Sequence, residues 1–258
     1  MELPRRRLWP ERPAAEFTIG LDLGQSRDYT ALSAIERIRH ESPSGIHVTY
    51  ELRALERWPL GTRYPKIVAD VAALLARAPL APAESTLVVD RTGVGAAVCD
   101  LFVEAGLDPV QVTLTAGMAV SRAGRQVHLP KREAVHTALA LLQTGRLTLA
   151  ASLPLLETLV HELTNFAIKV DLRTGADRYE SWRESVHDDL VLSLALACWV
   201  AQFWDPTETD EATAQSLQDY LGDAWQPWAQ ALPEEARRWG RINGHRGAYR
   251  ERRRLPRA

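Results

Sequence analysis

Apolar and polar positions alternate with a period of two along "EFTIGLDLG", residues 16–24. Phe17, Ile19, Leu21 and Leu23 fall on one face; Thr18, Gly20, Asp22 and Gly24 fall on the other. That pattern predicts a β-strand. "DYTALSAIERI" and "IHVTYELRALERW" follow as two more strands across the turn-forming "ESPSG", and three strands with short turns predict an antiparallel meander. The period then lengthens. "YPKIVADVAALLARA" predicts an amphipathic helix, "STLVVD" a short buried strand ending on Asp90, "GVGAAVCDLFVEAG" a helix stopped at Gly106, and "PVQVTLT" another strand. "AGMAVSRAGRQVHLP" reads as a Gly/Arg/Ser loop, and "KREAVHTALALLQTG" and "LPLLETLVHELTNF" as two helices joined by "RLTLAAS". "AIKVDLRTGADRYESW" predicts a hairpin around "RTGAD". The last predicted helix opens at Asp188 and Asp189 and runs to Trp204 with only Ser193 and Gln202 as clear polar interruptions. A helix that is apolar all round is a buried one.

Three strands, then alternating helix and strand, then helices, is the element order of an RNase H-like fold: an α/β architecture with a mixed sheet and helices on both faces. The pattern divides the chain into a Pro- and Arg-rich leader (1–15), one domain (16–204), and an extension (205–258). The extension is acidic and Trp-bearing (Trp225, Trp228, Trp239), then densely basic (Arg250, Arg252, Arg253, Arg254). A chain of 258 residues with 46% hydrophobic and 25% charged residues has the make-up of a globular protein, and a net charge of -2 leaves nucleic-acid contact to local patches. Cys99 and Cys198 both lie in apolar helical patterns, which predicts buried free thiols and a cytoplasmic setting. The N-terminus lacks the apolar stretch of a signal peptide, and the longest apolar helix is too interrupted for a membrane span.

Carboxylates carry the candidate chemistry. In this element order the strands ending in Asp22 and Asp90 are neighbours, and α/β sheets place their sites at the C-terminal ends of parallel strands. Gly20 and Gly24 flank Asp22 on its face and leave room for a close-packed ligand or helix. The helix beginning at Asp188 would cross the same edge with a third carboxylate. Carboxylates packed together raise one another's pKa; a divalent cation reverses that penalty, and hard oxygen donors favour Mg²⁺ or Mn²⁺. The ordinary alternatives are a turn former at Asp22, an Asx-turn at Asp90, and a helix cap at Asp188 or Asp189. A cap accounts for one aspartate and leaves the second beside a buried helix. The favoured arrangement has Asp188 toward the cap and Asp189 toward the sheet, where Ser193 and Ala197 continue its face; the reverse assignment stays open.

"FTIGLDLGQSRDYTALSAIE", "LVVDRTGVGAAVCDLF", "LPKREAVHTALALLQTGRLTL" and "YESWRESVHDDLVLSLALACW", in that order, resemble the C-terminal nuclease domain of phage terminase large subunits over about residues 17–204. The resemblance implies an acidic triad of Asp22, Asp90 and Asp189, with Asp188 as an additional ligand and His187 as an assisting residue. It further implies two Mg²⁺ or Mn²⁺ ions, hydrolysis of double-stranded DNA during viral packaging, and a phage- or prophage-encoded protein in the bacterial cytoplasm. Nothing matches G-x-x-x-x-G-K-[ST], so the expectation is a nuclease without its own motor, partnered by a separate terminase ATPase, a portal or a small terminase subunit. A sequence-tolerant grip on DNA needs local positive charge. Candidates are Arg27, Arg91, Arg122, Arg125, Lys131, Arg132, Arg173 and Arg178, with residues 115–130 and the hairpin near Gly175 as groove walls. The competing readings are a non-catalytic packaging scaffold or remnant of the same fold, and a phosphotransferase of the actin or sugar-kinase type. The latter needs a second phosphate-binding strand motif, and only one copy fits here.

Overall fold

The computed structural model describes residues 16–43, 45–81, 83–117, 119–169 and 187–205. Three antiparallel strands come first: β1 (Glu16–Asp22), β2 (Ala31–Ser42) and β3 (Gly45–Arg57). There follow α1 (Tyr64–Leu75), β4 (Glu84–Asp90), α2 (Gly95–Glu104) and β5 (Val110–Thr115). The sequence then gives β6 (Ser121–Ala123), β7 (Gln126–Pro130), α3 (Lys131–Gln143), β8 (Leu147–Leu149), α4 (Leu156–Lys169) and α5 (Asp189–Phe203). All eight strands form one sheet in the order β6-β7-β5-β4-β1-β2-β3-β8. At its centre β5-β4-β1-β2-β3 has β4 and β5 parallel to β1 and β2 antiparallel to it. This is the RNase H-like arrangement the element order predicts.

The alternation in β1 sorts the two faces. Phe17, Ile19 and Leu21 pack with Ile67, Val68 and Val71 of α1 and Val98, Cys99 and Phe102 of α2. The other face belongs to α5, which contacts β1, β2 and β4 and is covered in turn by α3 and α4. Every residue from Asp189 to Val200 is buried, so a helix with no polar face is the only kind that fits here. Both cysteines are buried and unbridged. No helix among the described residues is long and apolar enough to cross a membrane.

Gly20 sets the depth of α5. A Cβ at this position would collide with the Ser193 carbonyl oxygen and stand 2.8 Å from the Ala197 nitrogen. Beside it, the Ser33 and Ser193 hydroxyls hydrogen-bond at 2.7 Å, which satisfies two polar groups that the close approach seals from water. Gly20→Ala should therefore lift the helix and destabilise the protein by ~1–3 kcal/mol, as overpacking does; urea denaturation measures it.

Two stretches depart from expectation. The segment read as a loop up to Pro130 contains the β6–β7 hairpin, with β7 parallel to β5. Val127 and Leu129 point into the core while Gln126 and His128 face out, a five-residue alternation masked by the Gly- and Arg-rich sequence before it. The connector "RLTLAAS" contributes β8, parallel to β3 through Tyr50–Leu147 and two further pairs; three residues are too few to carry a period. The hairpin expected around Gly175, the leader 1–15 and residues 206–258 lie outside the described residues.

Candidate metal centre

The register Leu21–Val89 runs on to the ends of two neighbouring parallel strands, so Asp22 and Asp90 finish side by side. Both are buried, at 7% and 8% exposure. Asp90 Oδ1 also accepts the Thr92 N–H at 2.7 Å. The Asx-type turn foreseen as the ordinary role of Asp90 is thus present, and it fixes the carboxyl in place at the strand end. Gly95 permits the turn, because a Cβ there would collide with the Asp90 carbonyl.

Asp189 arrives from α5. One helical turn before Ser193, which touches Gly20 and Ser33, it shares the sheet-facing side of the helix. Neither aspartate at the helix mouth caps it: Asp188 occupies the N-cap position without a side-chain capping bond. Its Oδ2 instead meets Lys131 Nζ at 3.1 Å. Capping falls to Glu162 of α4, whose Oε2 accepts the backbone N–H groups of Leu190 (3.0 Å) and Val191 (3.2 Å). The other Glu162 oxygen holds the Arg57 guanidinium in a short ion pair, and Arg57 stands 3.5 Å from Asp189 Oδ2. Asp189 Oδ2 is buried and has no hydrogen-bond partner.

The electrostatics follow from this crowding. Burial, then the charges of Asp90, Asp189 and Asp188, push the Asp22 carboxyl well above the ordinary aspartate range, against the pull of Lys131. Burial also raises Asp90, opposed by its bonds to Thr92. Burial lifts Asp189 to about 6 despite Arg57 and His187, and Glu162 to about 7 despite Arg57. The charge of Asp189 acts on Asp22, and buried carboxyl oxygens, one of them lacking a hydrogen-bond donor, are donors of the kind that suits a divalent cation of the Mg²⁺ or Mn²⁺ class. Without a cation, the folded form binds more protons than the unfolded chain from about pH 4 upward. The contribution of these groups to stability is then full below the usual carboxylate range and is lost as pH rises through about 6 for Asp189 and about 7 for Glu162. In EDTA the melting temperature should accordingly be higher near about pH 5 than near about pH 7.5, and millimolar Mg²⁺ should narrow the gap.

No protein-family profile matches the chain, and no curated protein does. Among solved structures, the human cytomegalovirus terminase nuclease domain, manganese-soaked, is similar at 13% identity and a TM-score of 0.44, over 75% of this chain and 87% of that one. The Thermus thermophilus RuvC structure is similar at 16% identity and a TM-score of 0.34, over 72% of this chain and 94% of that one.

Around the carboxyls the structure gathers some of the expected residues and disperses others. His187 Nδ1 lies 3.8 Å from Asp189 Oδ2, and its ring meets Tyr29 edge-on at 4.8 Å. Lys131 reaches the site from the end of β7. Arg27 is exposed in the loop that follows Asp22. Arg91 follows Asp90 at the end of β4 and is half-buried. Arg132 pairs with Glu133 at 3.5 Å. Arg122 bonds the Asp205 carbonyl and stacks on Trp204 at 3.7 Å, and Arg125 pairs with Asp108 at 3.1 Å. Arg122 therefore sits beyond the far end of α5, about 20 Å along the helix from Asp189 at 1.5 Å per residue. The cause is the parallel pairing of β7 with β5, which puts the β6–β7 turn at the sheet edge opposite Asp22 and brings Lys131 to the near one. Arg173 and Arg178 lie outside the described residues.

Arg57, Glu162, Asp28 and Tyr29 were not anticipated. The first two had a signal: each is a charged residue on a core-facing position, Arg57 two residues past buried Leu55 on β3, Glu162 between buried Leu159 and Phe166 on α4. Asp28 and Tyr29 sit in a loop, where no period announces direction.

Proposed function

We propose that this chain is a metal-dependent DNA endonuclease of the terminase nuclease type that hydrolyses phosphodiester bonds by a two-metal mechanism during packaging of viral DNA. One observation carries the reading: Asp22 and Asp90 are buried carboxyls at the ends of adjacent parallel strands, and on the same face of the sheet α5 presents a buried Asp189 oxygen with no hydrogen-bond donor. The four motif stretches in their order support it, as does the raised pKa of every carboxyl in the set. Asp22, Asp90 and Asp189 would hold the ions. Divalent cations bound there would lower the pKa of a water and offset the charge that gathers on the phosphate and the leaving oxygen. Water attacks phosphorus in line and the 3′-oxygen leaves as a hydroxyl, giving 5′-phosphate and 3′-hydroxyl ends.

The protein supplies orientation. Glu162 and Arg57 hold α5 and Asp189 in place, and Asp188 holds the Lys131 ammonium at the edge of the acidic cluster, where it meets a phosphate as a point charge. Arg27 continues this positive rim on the exposed loop. The packaging role, and with it a separate ATPase subunit as partner, rests on the motif resemblance. Purified full-length protein should nick and then linearise supercoiled plasmid with Mg²⁺ or Mn²⁺, and EDTA should stop it. A preparation that binds divalent ions yet leaves plasmid and linear duplex intact would overturn the nuclease reading.

A further inference from the structure

We propose a second cation position beside the Asp22–Asp90 pair, formed by Asp28, His187 and Asp189 and selective for a first-row transition dication over Mg²⁺. It rests on the nuclease reading in taking Asp189 as a ligand, and adds two residues and a metal preference which that reading lacks.

The ligand atoms of Asp28, His187 and Asp189 all lie within 4.8 Å of one another. Donors around a six-coordinate dication stand about 3–4 Å apart, so a modest closure suffices, and the exposed Asp28 side chain can supply it by a change of rotamer. A second observation points to a ligand independently. The Asp189 side chain is only 3% exposed, and the oxygen it turns toward His187 Nδ1 is the one with no hydrogen-bond donor. A buried lone pair left bare costs free energy; an ion at this point satisfies it.

The surroundings hold the set in place. Gly24 allows the β1–β2 loop to fold back on itself, since a Cβ there would collide with the Asp28 carbonyl. Thr30 locks the fold through hydrogen bonds to both the N–H and the carbonyl of Gly24. Tyr29, next in the loop, packs edge-on against the His187 ring and carries the Arg57 guanidinium 4.7 Å from its own ring centre. The imidazole is therefore oriented by its neighbour, as second-layer contacts orient metal-ligating histidines. Among the described residues, Arg57 is the guanidinium that approaches the shared oxygen, at 3.5 Å, and Glu162 already balances its charge.

The two positions are distinct and share Asp189. The charges acting most on Asp22 are Asp90, Asp189, Asp188 and Lys131; those acting on Asp189 include His187 and Asp28. The Asp22–Asp90 side offers oxygen alone, which suits Mg²⁺. The Asp28–His187 side offers an imidazole nitrogen, a donor that Mg²⁺ takes poorly and later first-row ions take readily.

Mn²⁺ is the probe. Full-length protein loaded with Mn²⁺ and challenged with excess Mg²⁺ should keep one Mn²⁺ whose spin-echo modulation shows a directly bound ¹⁴N. His187→Gln should remove that modulation, and Asp28→Asn should weaken the retained ion about tenfold or more. Both residues are at the surface of the site, so the variants should fold. Three results would overturn the position: Mn²⁺ bound without ¹⁴N coupling, coupling that survives in His187→Gln, or retention unaffected by Asp28→Asn. If Asp22→Asn still loses the Mg²⁺-displaceable ion, the nuclease reading survives that loss. No Mn²⁺ bound at all would end both.

Discussion

Asp22→Asn is expected to abolish plasmid cleavage and, in the same sample, to raise the melting temperature of the metal-free protein at neutral pH. Loss of one preorganised hydrogen-bond donor at a reacting centre lowers rate by about 10²–10³-fold, and loss of a carboxylate that holds the metal should exceed the upper end of that range. The stability change has the opposite sign because Asp22 is buried among Asp90, Asp189 and Asp188, and burial and those three charges all oppose its ionisation. An amide keeps the shape but removes the charge. Each kcal/mol of relieved repulsion moves the midpoint of a domain this size by ~2–4 °C. Adding Mg²⁺ should reverse the ranking, with the wild-type protein gaining and Asp22→Asn gaining little. The pair of readouts separates a metal ligand from a merely structural aspartate, whose replacement would lower both activity and melting temperature. An Asp22→Asn protein that cuts plasmid at the wild-type rate removes Asp22 from the site.

What the sequence made legible follows from period. In β1, alternation alone separates Phe17, Ile19 and Leu21 from Gly20 and Asp22, and the structure gives the first set to α1 and α2 and the second to α5. The unbroken apolar stretch of α5 likewise announces a helix enclosed on every side. Capping was misjudged for a physical reason. A helix mouth with two aspartates looks self-capped, yet Asp188 turns to Lys131 and the donors of Leu190 and Val191 are met by Glu162, 28 residues before Leu190 in the chain. Only a tertiary contact reveals that exchange. The placement of Arg122 and Arg125 failed similarly, since the direction of a short edge strand decides which end of the sheet its turn occupies. Asp28 shows the limit of pattern reading. Its position depends on a loop reversal fixed by Gly24 and Thr30, and no regular spacing encodes it.

Glu162→Ala should be the most damaging single change outside the aspartates, because Glu162 joins two backbone donors of α5 to the Arg57 guanidinium. Its removal leaves the Leu190 and Val191 N–H groups bare in a buried helix mouth and leaves the Arg57 guanidinium, itself only 14% exposed, with the longer Asp189 contact in place of its short ion pair. Breaking a buried pair from one side costs ~3–5 kcal/mol, which for a domain of this size is a fall of roughly 10 °C in melting temperature. Arg57→Met should cost less, since Glu162 has its proton and its two backbone donors to fall back on: burial already lifts its pKa to about 7. The double variant Arg57→Met/Glu162→Ala should then be less destabilised than the sum of its parts, with no guanidinium left to face the lost carboxylate. Urea denaturation of the four proteins gives that coupling directly. Additive effects would mean that Glu162 acts on α5 through its backbone bonds alone and that Arg57 contributes nothing to the placement of Asp189.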